Sequence, residues 1–168
     1  ATRSILCNNL YGLDIDLRAA QLANYALLLK AAAKDPTILE EDIVPQVYAM
    51  PEPHKFSDEC LKIFLGEDVQ YEEKLKGALT LMLQSQNLGS IMKFHVGLEI
   101  RKTLQTQLSY WEKRQNTISD IFLKEEFSYL FPYIRIILLL TDKYEAVAAN
   151  PPYMGSGNMN TDLKRYIN

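Results

Sequence analysis

The sequence predicts an α/β fold: two or so parallel strands, one near each end of the chain, separated by a large and mainly helical insertion. Three observations predict it. A short apolar run, Leu10-Tyr11-Gly12-Leu13-Asp14-Ile15, leads directly into a long helix-forming stretch. A second apolar run, Tyr144–Ala149, stops at Asn150-Pro151-Pro152-Tyr153. The residues between them recur mostly at helical spacing. The expected divisions are 1–34, 35–140 and 141–168.

The first strand ends in Asp14, Ile15 and Asp16. Asp16 is placed to cap the next helix, which runs from Leu17 to about Ala33 in a stretch rich in Ala and Leu with no Gly or Pro. Apolar residues cover most of its circumference, so it is expected to be covered on more than one side. Asp35-Pro36 ends it. A short turn over Thr37–Ile43 precedes Pro45–Pro53, which reads as an extended linker punctuated by prolines. Ser57 or Asp58 starts a helix through Leu65, stopped by Gly66. A second helix is expected from Tyr71 to about Gln86, a third from Leu98 to Ile118, and a fourth from Ser119 to Leu140, bent at Pro132. Arg135–Leu140 could instead form a strand hairpinned to Tyr144–Ala149. Helix is preferred there, because a parallel strand needs a crossover leading into it.

Composition narrows the function classes. A chain of 168 residues with 48% hydrophobic and 23% charged residues suits one globular domain. No apolar run reaches the roughly 18 residues of a membrane span, and Ile134–Leu140 is interrupted by Arg135. The opening residues do not resemble a secretory leader. Cys7 and Cys60 lack zinc or disulfide-scaffold spacing, which suggests reduced thiols in a cytoplasmic protein. A net charge of -3 and a pI near 5.4 argue against a free-standing nucleic-acid-binding domain.

The diproline loop is the first candidate site. Pro cannot donate to a sheet ladder and forces the preceding residue into an extended conformation. Two in succession stiffen the loop at a strand's carboxyl end, where ligands of open α/β sheets bind. The Asn150 amide oxygen and the Pro151 carbonyl are acceptors suited to both hydrogens of a planar amine. Tyr153 offers a stacking face. The second candidate is Asp14, an acid at a strand end that can accept hydrogen bonds from ribose hydroxyls, with Ile15 beside it to pack on a base. Both aspartates would also serve simply to end a strand and cap a helix.

Taken together, the stretches at about Asn8–Ala33 and Lys143–Asn168 resemble the large adenine-specific DNA methyltransferases of bacterial phage defence. The BREX (PglX-like) group is the nearest, with type IIG restriction-modification enzymes as relatives. Asn87–Phe94 is also similar to a segment of that group. The resemblance implies a partial Rossmann-like methyltransferase core and S-adenosylmethionine as cofactor, with Asp14 and Ile15 binding it. Asn150, Pro151, Pro152 and Tyr153 would form the catalytic motif acting on a flipped adenine. It also implies double-stranded DNA as the partner of the full-length enzyme. The group's glycine-rich cofactor loop is not found here. The chain is therefore expected to be a fragment that packs on other parts of the same polypeptide and is inactive alone.

Other chemistry is less well supported. His54 and His95 have no ligand-spaced neighbours, so no metal site is expected. Ser90 lacks a nucleophile-elbow context. Arg101, Lys102, Lys113 and Arg114 flank Tyr110 and Trp111 on one expected helix, a surface that could touch DNA phosphates or simply be solvated. Met154-Gly155-Ser156-Gly157 and the helix start at Asn160-Thr161-Asp162 could form a lid. The rival readings are methylation of cytosine N4 or a protein Gln, and a non-catalytic helical interaction module.

Overall fold

The computed structural model describes residues 2–83 and 96–149, which fall into two compact units, 1–50 and 51–168. The first contains α1 (Thr2–Asn8), β1 (Tyr11–Asp14), α2 (Leu17–Ala32), a 3-10 turn (Pro36–Glu40) and β2 (Gln46–Ala49). β1 and β2 pair in parallel, with Tyr11 opposite Gln46 and Asp14 opposite Ala49. Parallel neighbours need a long crossover, and α2 with its following turn supplies it. The Asn24 side chain on α2 donates to the Val47 carbonyl at 2.9 Å, tying the helix to β2. Gly12 suits the close approach of the strands, since a Cβ there would lie 3.1 and 3.2 Å from the Val47 methyl carbons and Val47 would have to give way.

Two expectations are corrected here. Pro45–Pro53 is not merely a linker, because it contains β2; the strand-bearing unit therefore extends past residue 34 to Met50. Tyr144–Ala149 is not a strand: it lacks regular structure and is exposed throughout, Val147 at 77%. Three of its six residues are alanines, which bury little area and favour strands weakly. It also has no ladder partner among the described residues. Val47 and Tyr48 are better strand formers, and the flanking Pro45 and Pro51 lie outside the ladder.

The second unit is helical: α3 (Asp58–Leu65), a 3-10 segment (Gly66–Tyr71), α4 (Glu72–Leu83), α5 (Leu98–Arg114), a 3-10 turn (Gln115–Thr117) and α6 (Ile121–Leu140). Ser57 caps α3, its hydroxyl accepting from the Cys60 N–H at 3.1 Å. Gly66 ends α3 at φ +60°, the left-handed region that glycine tolerates. Asp120 caps α6, which runs through Pro132 and confirms Arg135–Leu140 as helix. Phe64, Phe127, Leu130 and Ile134 are wholly buried. The Phe127 ring meets Phe64 edge-on and Trp111 at 5.0 Å between centroids. Tyr133 locks the entering segment, its hydroxyl donating to the Glu52 carbonyl and accepting from the His54 N–H.

The chain is thus mixed α/β, mostly helical, with a two-stranded parallel sheet among the described residues. None of its described helices is long and apolar enough to cross a membrane.

Candidate cofactor site at the β1–α2 junction

The junction is built from two aspartates in succession. Asp14, the last residue of β1, accepts the Asp16 N–H on Oδ1 at 2.9 Å. Asp16 in turn accepts the N–H groups of Arg18 at 2.7 Å and Ala19 at 3.4 Å. Each short carboxylate bends the backbone two residues ahead of it, as Asp does in turns and caps. Of the roles foreseen for the pair, the cap is visible. Asp16 is the helix cap, while Asp14 shapes the turn and keeps its Oδ2 without a hydrogen bond among the described residues.

The strand pairing sets the depth of this site. The Asp14 carbonyl accepts the Met50 N–H at 2.9 Å, so its backbone is engaged with the end of β2 while its side chain remains exposed. Ile15 is 65% exposed beside it. The junction therefore presents a carboxylate and an apolar side chain at the carboxyl end of two parallel strands, the edge where α/β sheets bind ligands. Sequence reasoning missed β2 and Met50. It also missed Asn24, whose buried side-chain oxygen has no hydrogen-bond partner among the described residues; a polar amide inside an Ala/Leu-rich helix was the available signal.

Asn150, Pro151, Pro152 and Tyr153 lie outside the described residues, as do Asn87–Phe94, Ser90, His95 and the segment from Met154 to Asp162. His54 is a packing residue, its ring stacked on Tyr129 at 4.4 Å and 11°. Cys60 is buried, and that burial, followed by its contact with Glu126, pushes the thiol far up. No group of His, Cys, Asp or Glu among the described residues could hold a metal ion.

The helix carrying the basic and aromatic residues is α5, and the structure sorts them. Arg101 is ion-paired with Asp142 at 2.7 Å. Trp111 turns inward, its indole donating to the Phe64 carbonyl at 3.1 Å. Lys102, Tyr110, Lys113 and Arg114 stay exposed.

A parallel strand pair, an acid at the tip of β1 and a capped crossover helix make this a mixed α/β chain with a carboxylate at the sheet edge where such folds bind ligands. Residues 8–168 match the Eco57I restriction-modification methylase family, and the chain belongs to that family. It is similar to the adenine-specific methyltransferase BrxX of Escherichia coli O9:H4 (strain HS), 32% identical over 183 residues covering 96% of this chain and 15% of that protein. It is similar also to the adenine-specific methyltransferase PglX of Lacticaseibacillus casei (strain Zhang), 28% identical over 167 residues covering 99% of this chain and 14% of that protein. The chain spans about one seventh of the length of these curated relatives.

Proposed function

We propose that this chain is part of a cytoplasmic, S-adenosylmethionine-dependent DNA adenine-N6 methyltransferase serving restriction-modification or phage exclusion. The observation that carries the reading is the exposed Asp14 carboxylate at the end of a parallel strand, in a chain of a methylase family whose match runs through Asn150–Tyr153. In this reading residues 1–50 and 141–168 belong to a Rossmann-like core, and the helical unit between them is an insertion.

The residues at the junction fit the cofactor. A carboxylate has about four acceptor positions, and only one at Asp14 is used by its own turn. The remainder suit two ribose hydroxyls, and the exposed Ile15 suits the face of a base. When bound, S-adenosylmethionine supplies an activated methyl group. Asn150 and the Pro151 carbonyl accept from the adenine amino group. They favour a more pyramidal nitrogen and stabilise the positive charge that develops there. Tyr153 stacks on the extruded base, which is unreachable inside a duplex, and Pro152, lacking an N–H, leaves the acceptors beside it without a competing donor.

One paired experiment on the full-length enzyme tests these roles. Asn150→Ala is expected to lower methyl transfer to DNA by about 100-fold or more while cofactor binding persists. Asp14→Ala is expected to weaken cofactor binding by about 10- to 100-fold, the loss of charged hydrogen bonds. Unchanged transfer in the first variant, or an unchanged dissociation constant by calorimetry in the second, removes the corresponding role.

A further inference from the structure

We infer that the exposed face of α5 is a contact for the phosphate backbone of double-stranded DNA. An open groove of about 610 Å³ lies on this helix, lined among others by Lys102, Thr106, Ser109, Tyr110, Lys113 and Arg114. Ile100, Leu104 and Leu108 bury the opposite side of the helix, so the lining residues form its outward stripe.

A solvated helix face ordinarily mixes both signs of charge. This stripe does not. Between Lys102 and Arg114 the sole acid is Glu112, and its carboxylate is taken by Arg135 at 3.1 and 2.5 Å. Glu99, one turn before Lys102, lies 3.4 Å from the Tyr71 hydroxyl, which donates to it. Lys102, Lys113 and Arg114 form no ion pair among the described residues, whereas Arg101 and Arg135 on neighbouring faces are both paired.

The remaining chemistry suits phosphate. Thr106 and Ser109 place hydroxyl donors between the cations, and such groups supply many backbone contacts to DNA. The Arg114 guanidinium lies 4.0 Å from the centre of the Tyr110 ring, which holds its planar fork in place for a bidentate contact. Lys102 and Lys113 are separated by eleven residues, about 16 Å along the helix. That equals roughly five phosphates of one strand at about 3.4 Å each. Thus a chain of net charge -3 keeps one locally cationic strip. Such a strip orients a duplex without reading its sequence.

The inference rests on the DNA-methyltransferase reading, and one experiment separates the two. The full-length enzyme and its K102Q/K113Q/R114Q variant are titrated with mixed-sequence duplexes over a range of salt, and methyl transfer to adenine is assayed in parallel. The variant is expected to bind all duplexes more weakly by a similar factor. Its slope of log K against log salt should be shallower by up to about 2.7, at about 0.9 per lost contact. Each single substitution should remove about 0.9 of slope, which covers failure of the triple variant to fold; K102R/K113R should retain the wild-type slope. An unchanged slope in the variants, or no duplex binding by the parent enzyme, overturns the inference. An enzyme with the expected slopes that transfers no methyl group to adenine upholds the contact and overturns the methyltransferase reading.

Discussion

In the 51–168 unit, Phe64, Leu75, Phe127, Leu130 and Ile134 are wholly buried, whereas in the 1–50 unit Leu17, Leu22 and Tyr25 are 60, 68 and 61% exposed. Among the described residues, Ile38 alone of the largest fully buried side chains belongs to the first unit. That unit's core is Leu6, Ala31 and Ile38, backed by half-buried Leu27, Leu28 and Ile43. The helical unit is held by a packed aromatic and aliphatic core. The strand unit relies on its ladder, the Asp16 cap, the Asn24 hydrogen bond to Val47 and the Arg3–Glu41 ion pair. The α2 face expected to be covered on more than one side is open among the described residues. The contrast teaches that the candidate cofactor site sits on the part with the less local burial, and small core area goes with low local stability.

Four substitutions test that contrast, in falling order of expected effect on stability. Phe127→Ala should destabilise the helical unit by about 3–5 kcal/mol, seen as a lower urea midpoint; a loss under about 1 kcal/mol would mean the aromatic cluster is not its keystone. Asp16→Ala should cost about 1 kcal/mol and increase hydrogen exchange in the first turn of α2. No change there would show that the two-aspartate turn is not what starts the helix.

A smaller effect is expected at Glu126. Burial pushes its carboxyl up, but hydrogen bonds from the Ser57 and Cys60 side chains and the Ser57 backbone, with the charge of His54, outweigh it and hold the group below its usual 4.5. A depressed folded-state pKa adds stability that is present above the usual value and is lost as pH falls through the folded one. Glu126→Gln should therefore flatten the acid limb of a stability-versus-pH curve. Parallel acid limbs in the two proteins would contradict this. Least of all, Leu22→Gln should shift stability by no more than about 0.5 kcal/mol, since nothing in its own unit covers it. A loss above about 2 kcal/mol would reveal burial that the 68% exposure denies.

The Asp16 cap at the candidate site was legible because it is local. Asp16 acts on N–H groups two and three residues away, so its position before the helix announces the cap, whereas the turn held by Asp14 was not foreseen. Asn150–Tyr153 was equally plain as a sequence pattern, and its geometry lies outside the described residues. The second strand was not legible. Gln46–Ala49 is four residues long and sits among prolines, while Tyr144–Ala149 looked the better strand on apolar content.

By itself the amino-acid sequence determined much of the helical content: Asp16 as a cap, a cap at Ser57 or Asp58, Gly66 as a stop, and α6 continuing to Leu140, though not α1 or the Asp120 cap. These depend on hydrogen bonds between residues a few positions apart, which a linear pattern carries in full. Only the tertiary structure decided that β2 pairs with β1, that Arg101 faces Asp142, and that Trp111 enters the core while Lys102, Lys113 and Arg114 remain outside. A ladder partner, an ion pair or a packing neighbour can come from anywhere in the chain. The choice among them is made by burial and geometry, which neighbouring residues do not encode.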